Sequence, residues 1–231
     1  MLKPSDFFDL SKTRHAAIYE GCEFVWEALK RLPDFIKEVL KPGIEGKVMA
    51  GAHLLAEDIF IGKGTVVEPG AVIKGPTIIG ENCEIRKGAY IRGTAIVGDG
   101  AVVGNSCELK VALLHDGANV PHFAYVGDSL LGYKAHLGAG VKVSNVKLIR
   151  EPVVVVVQGQ AYNTGLIKFG AVVGDHVDIG CNSVLNPGSL IGPWSIMYTN
   201  VQWRGYLPPR SVAKMRQEQE IVPRRDVTSD E

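Results

Sequence analysis

The hydrophobic pattern in the middle of the chain repeats every six residues. Nine aliphatic residues stand at that interval: Ile61, Val67, Ile73, Ile79, Ile85, Ile91, Val97, Val103 and Leu109. The residues two places earlier are small except for the first: Ile59, Thr65, Ala71, Thr77, Cys83, Ala89, Ala95, Ala101 and Cys107. Helices and ordinary strands have side-chain periods of 3.6 and 2. A period of six is typical of a parallel β-helix, in which each hexad forms one short strand and one corner. The sequence therefore predicts an all-β solenoid with these residues inside or at its corners.

The repeat continues to about residue 207, with two phase slips of one residue. The later aliphatic positions are Leu114, Val120 and Val126, then Leu137, Val143 and Ile149, and finally Ile167, Val173, Ile179, Leu185 and Ile191. Residues 150–165 abandon the pattern, and we expect a loop or hairpin that protrudes from the wall. The predicted β-helix domain is residues 44–207, with roughly eight coils if three hexads make a coil.

The residues that precede the repeat have a helical pattern. Apolar positions recur at steps of four and three, at Ile18, Cys22, Val25, Leu29 and Leu32. Pro33 is predicted to break this helix, and residues 34–40 to form a second short one. We expect residues 1–43 to be a helical cap over one open end of the solenoid, because a terminal coil otherwise exposes unpaired strand edges.

The residues that follow the repeat are predicted to form a polar tail, residues 208–231. Ser211 is suited to cap a short polar helix from Val212 to Glu220. We expect the charged last residues to be disordered.

Composition narrows the class of partner. The 25 basic and 25 acidic residues balance, so the chain has no overall attraction to nucleic acid or to an anionic membrane. The N-terminus lacks the apolar region of a signal peptide, and no stretch approaches the 18 apolar residues of a membrane span. Cys83 and Cys107 take the small-residue position of the repeat, which is typical of buried free thiols. We therefore expect a cytoplasmic protein.

Polar residues that could carry chemistry concentrate between Arg92 and Asn145. This region contains Arg92-Gly93-Thr94, NSCELK at 105–110, HFAYVGD at 122–128, GAG at 138–140 and Asn145. On these motifs the chain resembles the C-terminal acetyltransferase domain of the bifunctional glucosamine-1-phosphate acetyltransferase/N-acetylglucosamine-1-phosphate uridylyltransferase. The resemblance implies a left-handed parallel β-helix that assembles as a homotrimer. Periodicity alone does not reveal the hand, since parallel crossovers are otherwise right-handed.

The same resemblance implies a binding site for a sugar phosphate. It assigns this role to Arg92, Lys110, Tyr125 and Lys168. Arginine and lysine suit the task because they form charge-assisted hydrogen bonds to phosphate oxygens.

The resemblance also implies the reacting groups. His122 would be the general base that takes the proton of the sugar amine, because histidine titrates near neutral pH. Asn145 would orient the amine or the histidine. The cosubstrate acetyl-CoA would lie along Ala139, Cys181 and Thr199. No metal is expected. Lys110, His122 and Tyr125 should converge at a cleft between subunits, since a solid prism has no internal pocket.

Three departures from the family's motifs leave the identity of the sugar open. His136 stands where the family has asparagine, Cys181 stands where it has serine, and residues 150–165 replace an N-Y-D-G loop. Residues 1–43 contain no glycine-rich nucleotide loop, so we expect no uridylyl transfer from this stretch.

Two other functions compete with acetyl transfer. A zinc enzyme on the same scaffold would need three histidines, and His115, His122 and His136 are the candidates by number. The H-x-x-x-x-H pair of the γ-class carbonic anhydrases is missing, which disfavours this hypothesis. The stronger rival is a non-catalytic trimeric module associated with sugar-nucleotide metabolism, with a degenerate site.

Overall fold

Short parallel strands wind around three faces of a solenoid in the computed structural model, which describes residues 2–216 and 218–223. Face 1 consists of Lys47–Val48, Val66–Val67, Glu84–Ile85, Val102–Asn105, Asn119–His122, His136–Leu137, Asp178–Ile179, Ile196–Met197 and Val212–Ala213. Face 2 consists of His53–Leu54, Val72–Ile73, Tyr90–Ile91, the first residues of Glu108–Leu114 and of Tyr125–Leu131, Lys142–Val143, Val184–Leu185 and Gln202–Trp203. Face 3 consists of Gly43–Ile44, Ile59–Ile61, Thr77–Ile79, Ala95–Val97, the last residues of the two long strands, Ala171–Val173, Ser189–Ile191 and Tyr206–Leu207. The predicted fold class, a parallel β-helix, is confirmed.

The interior contains the residues that the period of six selects. All nine aliphatic residues from Ile61 to Leu109 are fully buried, and the nine residues two places earlier are at most 2% exposed. Burial of an aliphatic side chain contributes about 1.5–3 kcal/mol. The repeated interior is therefore the main source of stability along the solenoid.

The first phase slip occurs where a long strand crosses the corner between faces 2 and 3. Glu108–Leu114 pairs with face 2 through its first residues and with face 3 through its last ones. Val111 adopts a left-handed φ of 48° at the bend, and Asp128 does the same in Tyr125–Leu131. This tight bend shortens the corner by one residue. Leu131 is the interior residue that the sequence prediction omitted between Val126 and Leu137.

The interior positions predicted at Ile149 and Ile167 are wrong. These side chains are 71% and 45% exposed. The chain leaves the wall after Asn145 and returns at Gly170, where the amide of Phe169 donates to the carbonyl of Asn145 at 2.9 Å. An antiparallel hairpin, Val154–Val157 with Gln160–Asn163, forms within this insertion.

The N-terminal segment contains one α-helix, Glu27–Val39, after three 3₁₀ turns at Pro4–Asp6, Leu10–Lys12 and Ala16–Tyr19. The predicted break at Pro33 is wrong, because Pro33 lies inside the helix. Pro33 lacks the amide that would bond the Leu29 carbonyl, which costs about 3 kcal/mol. Burial of Leu29, Leu32 and Ile36 on one helix face offsets that cost.

The helical segment lies along face 3 and does not sit over an open end, so the predicted placement of the cap needs correction. Outward-facing residues of face 3 form one buried cluster with Trp26, Leu32 and Ile36: Ile78, Ile96, Leu113, Leu130, Val172 and Leu190. The insertion hairpin joins this cluster through Val153, Val155 and Val157. A second hydrophobic layer therefore covers face 3.

The chain beyond residue 208 adds another strand, and the predicted helix at 212–220 is wrong. Val212–Ala213 pairs in parallel with Ile196–Met197, and Ala213 takes an interior position with 7% exposure. Residue 217 and residues 224–231 lie outside the described residues, and so does the disorder that we expected of the charged last residues. No helix in the described ranges is long and apolar enough to cross a membrane.

Candidate active site

Two corners border face 2, and the predicted site residues divide between them. The face 1–2 corner comprises residues 121–124 and their equivalents in other coils. The face 2–3 corner comprises residues 127–128 and their equivalents. Face 2 itself contributes outward-pointing side chains between the two corners, among them Glu108, Tyr125 and Lys142.

At the face 1–2 corner, the predicted base is in line with all three predicted acetyl-CoA residues. His136 pairs with Asn119 on one side and Asp178 on the other, and Asp178 pairs with Ile196. Three residues after these positions stand His122, Ala139, Cys181 and Thr199. Backbone bonds confirm the stacking, since Gly140 N donates to His122 O at 3.0 Å and Asn182 N to Ala139 O at 2.9 Å. We call these four residues the corner ladder, with steps of about 4.8 Å.

His122 ends the strand Asn119–His122, and its side chain is exposed. Phe123 follows it with 61% of its area exposed, and the two ring centroids are 6.4 Å apart. An imidazole in this position can meet a ligand on the outer surface of the corner.

At the face 2–3 corner, Arg92 and Lys110 occupy equivalent positions in neighbouring coils, because Ile91 pairs with Leu109. Each cation already has an anionic partner. The Arg92 Nη1 atom lies 2.7 Å from Glu108 Oε1, and the Lys110 Nζ atom lies 3.5 Å from Asp128 Oδ2. The Arg92 pair is largely solvent-exposed, so its contribution to stability is small.

Asp128 is the centre of a polar cluster at this corner. Asp128 is 7% exposed. Its carboxylate accepts hydrogen bonds from Asn145 Nδ2 and from Lys110 Nζ. Asn145 also hydrogen-bonds the Tyr125 side chain. Burial, followed by the charge of Asp128, raises the pKa of Tyr125. The hydroxyl therefore stays protonated near neutral pH and can donate to a ligand.

Gly127 makes room for this cluster. A Cβ atom at this position would lie 2.5 Å from the Tyr125 hydroxyl and 2.8 Å from Asn145 Nδ2. Any side chain there would push these two groups apart, because real Cβ contacts are longer.

Lys168 stands at the neck of the insertion. Its backbone forms an antiparallel bridge with Val146, directly after Asn145. The next residue, Phe169, donates its amide to the Asn145 carbonyl, which holds the two strands of the neck together. Lys168 itself is exposed. The fold thus brings the fourth predicted phosphate ligand to the same corner as Lys110 and Asn145.

The structure therefore divides the predicted site between the two corners of face 2, with His122 at one corner and Asn145 at the other. Lys110, Tyr125 and Asn145 form one cluster, with Arg92 one coil away. Tyr125 follows His122 by three residues along the chain, a span of at most about 10 Å. Asn145 contacts Asp128 and Tyr125 at the far edge of face 2, so an effect of Asn145 on His122 would act across this face.

Asp128 is the functional candidate that the sequence reasoning left without a role. The sequence feature that could have identified it is its place directly after Gly127 in the HFAYVGD motif. A buried carboxylate requires partners, and Lys110 and Asn145 supply them. Asp128 therefore holds the Lys110 and Asn145 side chains together at this corner.

The three histidines considered for zinc lie in different environments. His115 is fully buried beneath the N-terminal segment, where the Tyr19 hydroxyl lies 2.8 Å from its Nε2 atom. His122 lies on the corner ladder, and His136 lies on face 1 with Nδ1 3.6 Å from Asp178 Oδ1. Within residues 2–216 and 218–223, no group of three or more histidine, cysteine or acidic side chains is arranged to hold a metal ion.

Known proteins are similar to parts of this chain. The family described as the GMPPB C-terminal domain matches residues 73–160. A bifunctional sugar-1-phosphate nucleotidylyltransferase/acetyltransferase of Sulfurisphaera tokodaii is 34% identical over 90 residues, 39% of this chain and 22% of that protein. The bifunctional protein GlmU of Methanococcus maripaludis is 31% identical over 175 residues, 76% of this chain and 42% of that protein. The predicted resemblance is confirmed.

This relationship covers less than half of either relative's length. The GMPPB C-terminal domain match at 73–160 includes Arg92, Lys110, His122, Tyr125 and Asn145. Among solved structures, the polysialic acid-specific acetyltransferase NeuO covers 81% of this chain and 91% of its own length, with 13% identity and a TM-score of 0.36. The left-handed winding implied by the resemblance stays a prediction.

Proposed function

We propose that this protein transfers an acetyl group from acetyl-CoA to the amine of an amino-sugar phosphate, with glucosamine 1-phosphate as the first acceptor to test. The observation that carries the proposal is the corner ladder. An exposed histidine stands in line with Ala139, Cys181 and Thr199, and face 2 leads from it to the basic side chains of the other corner. Relatives named as nucleotidylyltransferase/acetyltransferase support this assignment.

The chemistry is acyl transfer from a thioester to nitrogen. The amine nitrogen attacks the thioester carbonyl carbon, the carbon–sulfur bond breaks, and an amide forms. His122 accepts the proton that the amine loses, and the departing thiolate of coenzyme A takes up a proton. Much of the rate would come from holding the amine and the thioester at about 3–3.5 Å.

The face 2–3 corner would bind the sugar phosphate. Lys110 and Lys168 provide positive charge, and the protonated Tyr125 hydroxyl provides a neutral donor. A phosphate that arrives at Arg92 would draw the guanidinium away from Glu108, its partner at 2.7 Å. Because that pair is exposed, the exchange is inexpensive.

The proposed assembly is a homotrimer. Face 3 is covered by the N-terminal segment and the hairpin, so faces 1 and 2 remain for contact with another subunit. The corner ladder lies on an open surface, and a neighbouring subunit would supply the second wall of the site. The thiols of Cys83 and Cys107 are buried and free, which supports a reducing, cytoplasmic environment.

The experiment is an assay of thiol release from acetyl-CoA, with glucosamine 1-phosphate and other amino-sugar phosphates as acceptors, beside calorimetric titration with acetyl-CoA. We expect both binding and turnover. Binding without turnover on any amino-sugar phosphate would refute the proposed acceptor class and retain the acetyl-CoA site.

The non-catalytic trimeric module is the second candidate. The observation that favours it is that Arg92 and Lys110 already contact carboxylates, Glu108 and Asp128. In that case acetyl-CoA would not bind, and light scattering would still show a trimer.

A further inference from the structure

The residue after His122 differs from the residues at the equivalent position of the other coils. One position at the face 1–2 corner has a left-handed φ in every coil from residue 51 to residue 200. Apart from Phe123, this position holds glycine, serine or asparagine: Gly51, Gly70, Gly88, Ser106, Gly140, Asn182 and Asn200. The strand register of face 1 places all of them in line.

Phe123 is unfavourable at this position. Its φ is 53°, a region that a bulky side chain seldom adopts because its Cβ approaches the following carbonyl. Burial does not compensate for the strain, because 61% of the side chain is exposed. Strained residues of this kind concentrate at functional sites. Trp194 shares this exposure and a left-handed φ but stacks on His176, so it is the position of Phe123 beside the proposed base that points to a contact with a ligand.

The location of Phe123 indicates which part of the ligand it meets. A general base must lie about 2.6–3.2 Å from the nitrogen whose proton it takes. That nitrogen lies about 3–3.5 Å from the thioester carbon in a reactive geometry. The acyl group is then about 6 Å from the imidazole, and the Phe123 ring centroid is 6.4 Å from that of His122.

The next coil has small residues at the positions equivalent to Phe123 and His122. Gly140 occupies the equivalent position and has no side chain, and Ala139 beside it has only a methyl group. The side chain of that coil that reaches this position is Lys142, whose ammonium group donates to the Gly140 carbonyl at 2.6 Å.

We propose that Phe123 contacts the acyl group of the bound thioester and restricts the acyl chain to acetyl. This inference rests on the proposed acetyl transfer. The aromatic ring closes the space that a longer acyl chain would need, and its apolar face shields the thioester from water. Glycine or asparagine would relieve the backbone strain at the φ of 53°, but either residue would remove this wall.

The test measures kcat/KM for acetyl-CoA and butyryl-CoA with the wild-type protein, Phe123→Gly and Phe123→Leu. Phe123→Gly should raise the butyryl-to-acetyl ratio about tenfold or more, because each methylene in an apolar pocket counts for at least that much. Phe123→Leu keeps an apolar wall and should stay near the wild-type ratio. Glycine tolerates a positive φ, so the melting temperature of Phe123→Gly should be unchanged or higher.

Trp194→Gly is the matched control. Trp194 is also an exposed aromatic residue with a left-handed φ, 62°, but it lies at the corner between faces 3 and 1, stacked on His176. Its loss should leave the acyl preference unchanged.

The outcomes separate the two claims. A wild-type protein without acetyl transfer would refute the proposed function, whatever the variants do. A wild-type protein that transfers acetyl, with a Phe123→Gly variant that keeps the wild-type ratio or loses both donors equally, would overturn the role of Phe123 alone.

Discussion

Gly127 shows how one residue can control the polar cluster. Gly127→Ala places a methyl group against the Tyr125 hydroxyl and the Asn145 amide, at 2.5 and 2.8 Å before any adjustment. We expect kcat/KM for the sugar phosphate to fall about a hundredfold, the usual effect of displacing a positioning group by about 1 Å. Steady-state kinetics will measure it.

The control for this substitution is Gly43→Ala. A Cβ at Gly43 would meet only the Phe60 ring, at an ordinary 3.8 Å. Its kinetics should match those of the wild-type protein. If Gly127→Ala also matched the wild type, the Asp128 cluster would have no part in substrate binding.

His115 makes stability depend on pH. Burial lowers the pKa of this histidine to about 3, and the Tyr19 hydroxyl contacts its Nε2 atom at 2.8 Å. The folded state holds the ring neutral, whereas the unfolded chain binds a proton below about pH 6.5. The stabilisation is therefore complete above pH 6.5 and is lost as the pH falls towards 3.

Protonation of His115 in the unfolded chain should accordingly lower the free energy of unfolding by up to about 1.4 kcal/mol for each pH unit below pH 6.5. His115→Gln removes the titration but keeps a side chain that can accept a hydrogen bond from Tyr19. Urea denaturation at pH 7.5, 6.5 and 5.5 should show a flatter pH dependence for the variant. Parallel curves for the two proteins would refute the buried neutral state of His115.

At the level of elements, the hairpin is a part of the second hydrophobic layer. Val155 is 1% exposed within the cluster on face 3, whereas Val156, its neighbour on the same strand, is 52% exposed. Val155→Ala should reduce the free energy of unfolding by about 2 kcal/mol, from lost burial and the cavity left behind. Val156→Ala should change it by less than about 0.5 kcal/mol.

Urea denaturation of the two variants checks this difference. Equal values would mean that the hairpin does not hold the N-terminal segment against the wall. The experiment also tests whether residues 150–165 act as a mobile lid, because a mobile lid would be insensitive to Val155→Ala.

The elements that the sequence predicted are those that local spacing determines. Ile61 to Leu109 fill the interior because each hexad must place one side chain inward. The path of residues 1–43 could not be predicted in this way, since it depends on face 3. The sequence did contain an indication of this path: the outward positions of face 3 hold the aliphatic residues Ile78, Ile96 and Leu113, which are unusual on a solvent-exposed face. Pro33 misled the prediction because tertiary burial outweighed a local rule.

For the molecule as a whole, the candidate site follows from the stacking of coils. Motif spacing identified His122 and Lys110, but neither the separation of His122 from Asn145 nor the central position of Asp128 could be read from spacing. The position of Asp128 depends on the left-handed bend at its own backbone, with a φ of 48°, which the period of six does not encode. The insertion neck, which brings Lys168 to Asn145, is likewise a long-range contact.

The central claim is that His122 is the base of an acetyl transfer. The most direct measurement is kcat for thiol release from acetyl-CoA with glucosamine 1-phosphate, for His122→Ala beside His53→Ala. His53 is exposed, like His122. It lies on face 2, four coils away from Tyr125 by strand register. We predict a loss of about a hundredfold or more for His122→Ala, the scale of a missing general base, and wild-type turnover for His53→Ala. Undiminished turnover of His122→Ala would contradict the account.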